Sequence, residues 1–79
     1  MPELPNFRLH PNPTTGALRF SGGFSPGEPI ELTVLNLQGQ AVLNATLQTP
    51  STHLNLPAGV YLVEVRQGDR LGRRKLVLH

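Results

Sequence analysis

The sequence predicts an all-β domain, an antiparallel β-sandwich of about seven short strands. Three observations predict it. Apolar residues recur at every second position in several short runs, the period of a half-buried strand. Turn-forming clusters of Gly, Pro, Asn and Asp separate those runs at intervals of roughly eight to twelve residues. Eight glycines and eight prolines in 79 residues, of which only 15% are charged, suit many tight turns better than helices.

Taken in order, FRLH sets Phe7 and Leu9 on one face, and ALRFSG does the same with Leu18 and Phe20. Between them lies HPNPTTG, residues 10–16, which holds no acid, cysteine or lysine. Its information is conformational. Pro11 and Pro13 fix φ at about −65° and push His10 and Asn12 towards extended geometry. Asn12 can hydrogen-bond nearby backbone, and Gly16 frees the chain to turn into the next strand. SGGFSPGEP, residues 21–29, is a turn-rich connection with Phe24 folded back as a lid.

Ile30, Leu32 and Val34 then share a face opposite Glu31 and Thr33. NLQG, residues 36–39, reads as a turn in which Gly39 takes positive φ. The return strand, 40–48, has Val42 as its expected anchor, completing a β-hairpin. HLNL puts Leu54 and Leu56 on one side before Pro57 and Gly59 break the run. In GVYLVEVRQ, Tyr61, Val63 and Val65 face one way, and Val60, Leu62, Glu64 and Arg66 the other. QGDR is a second hairpin turn at Gly68 and Asp69. KLVLH returns along 59–67 with Leu76 and Leu78 inward. Tyr61 follows a Pro/Gly corner at the start of a late strand. Sandwiches often place there a tyrosine whose ring fills the core and whose hydroxyl bonds backbone; an ordinary strand aromatic is the alternative.

Composition excludes several classes. At 79 residues the chain is one domain, burying about 60% of the surface its unfolded form exposes. It has no cysteine, so neither disulfides nor a zinc ribbon support it. No apolar window of about 18 residues exists to span a membrane. MPELPNF lacks the basic and apolar regions of a secretory signal peptide, and Met1 reads as a start placed ahead of a piece of a longer chain. Arg66, Arg70, Arg73, Arg74 and Lys75 gather five of the seven positive charges into RQGDRLGRRK. That run suits either a phosphate or lipid-headgroup contact or a solvated hairpin whose charges discourage edge pairing. The second is preferred, and the lack of interleaved aromatics argues against nucleic acid.

Catalytic constellations are missing. His10, His53 and His79 have no ligand at i+2 or i+4. Glu3, Glu28, Glu31, Glu64 and Asp69 form no acid/base pair. The serines have no G-x-S-x-G elbow, and SGGFSPG lacks the lysine and helix of a phosphate loop. Asn44-Ala45-Thr46 matches a glycosylation sequon, whereas Pro13 excludes one at Asn12. No enzyme, metal or cofactor is expected.

Four motifs now stand in order: HPNPTTGALRF, IELTVLNLQGQAV, LNLPAGVYLVEV and RRKLVLH. Together they closely resemble the type IX (Por) secretion system C-terminal sorting domain, which shows PNP-x-x-G, N-x-x-G-x-x-V, L-x-x-G-x-Y and a final K-L-V. The match runs from about Phe7 to the last residue. Pro11, Asn12, Pro13 and Gly16 fall on the opening motif, Asn36 and Gly39 on the central turn, Gly59 and Tyr61 on the late corner, and Lys75, Leu76 and Val77 on the closing strand.

The resemblance implies an immunoglobulin-like sandwich at the C-terminus of a secreted or cell-surface protein of a Gram-negative bacterium. It also implies a role: directing upstream cargo from the periplasm across the outer membrane through the type IX translocon. Removal by a sortase-like surface peptidase, which can join cargo to anionic lipopolysaccharide, would follow. On this basis residues 1–6 are a linker remnant and 7–79 the sorting domain. Two departures stand out: His10 replaces an aromatic before PNP, and the chain ends on Leu78-His79 rather than on a basic residue. The competing expectation is a generic immunoglobulin-like sandwich, a carbohydrate-binding or spacer module of a secreted protein.

Overall fold

A computed structural model of the protein describes residues 7–11 and 13–79. The expectations for residues 1–6 and for Asn12 lie outside the described residues. Seven strands form: β1 (Arg8–His10), β2 (Ala17–Ser21), β3 (Ile30–Leu35), β4 (Ala41–Leu47), β5 (Ser51–His53), β6 (Gly59–Gln67) and β7 (Arg70–Leu78). There is no helix among the described residues. The strands build a three-stranded sheet, β1-β2-β5, and a four-stranded sheet, β4-β3-β6-β7, with every ladder antiparallel.

The expected alternation supplies the core. Leu9, Leu18 and Phe20 from the smaller sheet meet Ile30, Leu32, Val34, Tyr61, Val63, Val65, Leu76 and Leu78 from the larger one, with Phe7 and Leu54 at the margins. Each such side chain removed from water is worth about 1.5–3 kcal/mol. Phe24 folds back as the lid foreseen for it, its ring edge-on to Phe7 at 6.1 Å. Phe7 lies so close to the β7 backbone that a Cβ at Gly72 would stand 2.6 Å from its ring. Gly72 is therefore the residue that lets β1 pack beside β7.

The return strand corrects one expectation. Val34 pairs with Leu43 and Leu35 with Ala41, so Val42 is the extra residue of a β-bulge. It is 40% exposed, while Leu43 and Leu47 pack against the core. An inserted residue flips the face of everything beyond it in a period-two element, and alternation alone does not reveal the insertion.

The far end of the sandwich is closed by polar groups. Gln67 is 1% exposed; its side-chain carbonyl accepts from Ser25 N at 2.6 Å, and its amide donates to Ser25 O and Glu28 O at 2.8 and 3.0 Å. Arg70 donates to Gly23 O, to Ser25 Oγ at 2.7 Å and to Gln67 Oε1 at 3.0 Å. The basic hairpin is thus only partly the solvated face expected. Arg70 turns in to pin the 22–29 loop, Arg73 pairs with Glu64 at 2.9 Å, and Arg74 lies 5.8 Å from the Phe7 ring centroid.

Candidate functional site

Register brings the sequence motifs to one end of the sandwich. Gly59, which opens β6, pairs with Leu78, which closes β7. Leu35, at the end of β3, pairs with Leu62, so the turn into β4 lies at the same end. Residues 13–16 join them through Thr14, which forms an isolated parallel bridge with Leu78.

That bridge is a latch between the opening motif and the closing strand. Thr14 N donates to Val77 O at 3.0 Å, and His79 N donates to Thr14 O at 2.8 Å. The Thr14 side chain, 3% exposed, holds its own loop: Oγ1 donates to Ala17 O at 2.5 Å and accepts from Gly16 N at 3.2 Å. Gly16 has φ +138°, and a Cβ there would stand 2.8 Å from Leu54 O and 3.0 Å from the His53 ring. Its carbonyl accepts from Leu54 N at 2.8 Å. Only glycine meets both demands, conformation and space. Pro11 follows a cis peptide bond and, like Pro13, is exposed beside this latch.

The central turn is organised by Asn36. Its Oδ1 accepts from Gln38 N and Gln40 N, both at 3.0 Å, and its backbone carbonyl accepts from Gly39 N at 3.0 Å. Gly39, at φ +84°, takes the left-handed conformation the turn requires. At the late corner, Tyr61 is buried to 8% exposure, and its hydroxyl donates to Pro57 O at 2.6 Å. This is the corner tyrosine rather than an ordinary strand aromatic. In the closing strand Leu76 is fully buried opposite Tyr61, while Lys75 is exposed opposite Leu62.

Sequence reasoning missed Thr14 and Gln67, both buried polar residues whose hydroxyl or amide ties loops to strands. A threonine two residues before a glycine is a signal for the local turn. No such signal points to its bond with Val77, which lies far along the chain.

Among the described residues no group of three His, Asp or Glu side chains stands ready to hold a metal ion, and no helix is long and apolar enough to cross a membrane. Gly16, Asn36, Gly39, Tyr61 and Leu76 are spent on hydrogen bonds, turns and packing. The chain is an antiparallel β-sandwich with strand order β1-β2-β5 and β4-β3-β6-β7, a corner tyrosine, and sequence motifs gathered at one end. The chain belongs to the secretion system C-terminal sorting domain family, whose model matches residues 8–79. It is accordingly a type IX sorting signal, in a family of signals rather than enzymes. Comparison with curated proteins gives no match.

Proposed function

We propose that this domain is the folded address by which an attached upstream cargo crosses the outer membrane through the type IX translocon, reaching the medium or the cell surface by way of the periplasm. A sortase-like surface peptidase then removes it, cutting in or before residues 1–6. The observation that carries this reading is the family match over residues 8–79, joined to the latch that ties its opening and closing motifs into one end.

The motif residues divide by exposure. Gly16, Tyr61 and Leu76 are buried and act by setting the shape. Asn36, Gly39 and Gly59 shape the turns at that end. Pro11, Pro13 and Lys75 are exposed and form the surface offered to the translocon, to which the motif residues Asn12 and Val77 are neighbours in sequence. Fusing residues 1–79 to a periplasmic reporter in a type IX-competent host tests the proposal. The reporter is expected outside the cell; its retention in the periplasm by a folded fusion would refute the role. The carbohydrate-binding alternative draws no support from the aromatics. Phe7, Phe20 and Tyr61 are buried and Phe24 is packed on the core, leaving no ring on which a neutral sugar would stack.

A further inference from the structure

The basic run 66–75 is the conspicuous charge feature of the sequence, yet its arginines are engaged. Arg70 holds the 22–29 loop, Arg73 pairs with Glu64, Arg74 lies over Phe7, and Arg66 stands directly opposite Glu31. A second basic cluster lies elsewhere. Alternation on β1, β2 and β5 turns Arg8, His10, Arg19 and His53 to the outer face of the three-stranded sheet, where all four are exposed. His10 and Arg19 are direct cross-strand partners, and Arg8 is diagonal to Arg19. Neither Arg8 nor Arg19 makes an ion pair or side-chain hydrogen bond among the described residues.

The acids among the described residues are on other surfaces. Glu31 and Glu64 face outward on the four-stranded sheet, Asp69 is in the β6–β7 turn, and the Glu28 carboxylate lies beside Gly68. Arg8 and Arg19, diagonal neighbours with no acid among the described residues beside them, repel each other, and a bound anion relieves that. The same face carries an open groove of about 520 Å³ lined by His10, Pro11, Ala17, Leu18, Arg19 and Ser51, within the size range of small-molecule sites.

We propose that this groove binds a phosphate monoester borne on a sugar-sized polyol. Arg19 receives the phosphate through its planar guanidinium fork. Arg8 adds charge, and the imidazole of His10 and the hydroxyl of Ser51 bond the polyol. A membrane surface fits less well, because such surfaces take cations together with exposed apolar groups. Among the described residues the large exposed apolar ones, Leu37, Val42 and Val60, lie in the four-stranded sheet and its β3–β4 turn.

The test is an amide NMR titration of the 79-residue chain with glucose 6-phosphate, with glucose and inorganic phosphate in parallel. Residues 8–10, 17–19 and 51–53 are expected to shift and to saturate at millimolar ligand, about 1 mM for a binding free energy near −4 kcal/mol. Glucose should leave the spectrum unchanged, and inorganic phosphate should move the same residues at roughly threefold lower affinity. R19Q should weaken binding at least about tenfold, whereas R66Q, which removes the same charge from the other sheet, should not.

Failure to saturate by about 50 mM, shifts centred on 59–78, or equal losses in R19Q and R66Q would overturn the site. Inorganic phosphate binding as tightly as the sugar ester would overturn the ligand class. Co-sedimentation with phosphatidylglycerol vesicles without response to glucose 6-phosphate would assign the face to a membrane instead. None of these readouts depends on export.

Discussion

Replacing Thr14 by valine preserves the side chain's shape and both backbone bonds of the latch, and removes only the hydroxyl. Two hydrogen bonds then disappear: the 2.5 Å bond to Ala17 O and the 3.2 Å bond from Gly16 N. The second leaves a buried donor without a partner, which costs about 1–3 kcal/mol. Ala17 O is in a part-buried setting and water replaces its loss, while the added methyl recovers up to about 0.8 kcal/mol. The net expectation is a loss of about 1–2 kcal/mol. A domain of this length is stable by roughly 4–12 kcal/mol in all, and each kcal/mol moves the melting temperature by about 4–8 °C. T14V should therefore melt roughly 5–15 °C lower. Thermal unfolding followed by circular dichroism measures this, with amide hydrogen exchange at His79 reporting the latch itself. T14S, which keeps the hydroxyl, should fall by much less. A T14V melt within about 2 °C of the parent, or a serine variant as damaged as the valine one, would refute the hydroxyl's part.

Two further perturbations probe the same end of the sandwich. Deleting residues 75–79 removes Leu76 and Leu78, both buried, at about 1.5–3 kcal/mol each, together with the strand that pairs with the start of β6. The domain is expected to unfold and export to cease; an unchanged melt with lost export would mean that the tail is read directly. Y61F removes the 2.6 Å bond to Pro57 O but keeps the ring in the core, so a loss of about 0.5–1.5 kcal/mol is expected by urea unfolding. A Y61F protein as stable as the parent would mean that the bond contributes nothing.

Local features were legible because their causes are local. Alternation in 30–34 and 60–66 reports which side chains face the core, and the Asn36–Gly39 turn follows from one asparagine and one glycine with positive φ. Val42 was misassigned because a bulge depends on how two strands accommodate each other, not on either strand alone. Arg70 and Gln67 read as parts of a solvated hairpin, since their partners, Gly23, Ser25 and Glu28, belong to a loop some forty residues earlier.

By itself the sequence determined the class of fold, the faces of most strands, the corner tyrosine's position and, through four ordered motifs, the family. Strand order and the use of the motifs were decided by the tertiary structure. HPNPTTG is conformationally restricted by its prolines and glycine, yet restriction alone does not say what the segment touches. That depends on Thr14 meeting Val77 and His79, a contact made only when two sheets close over a common core. Backbone hydrogen bonds carry no residue code, so their partners emerge from register and packing.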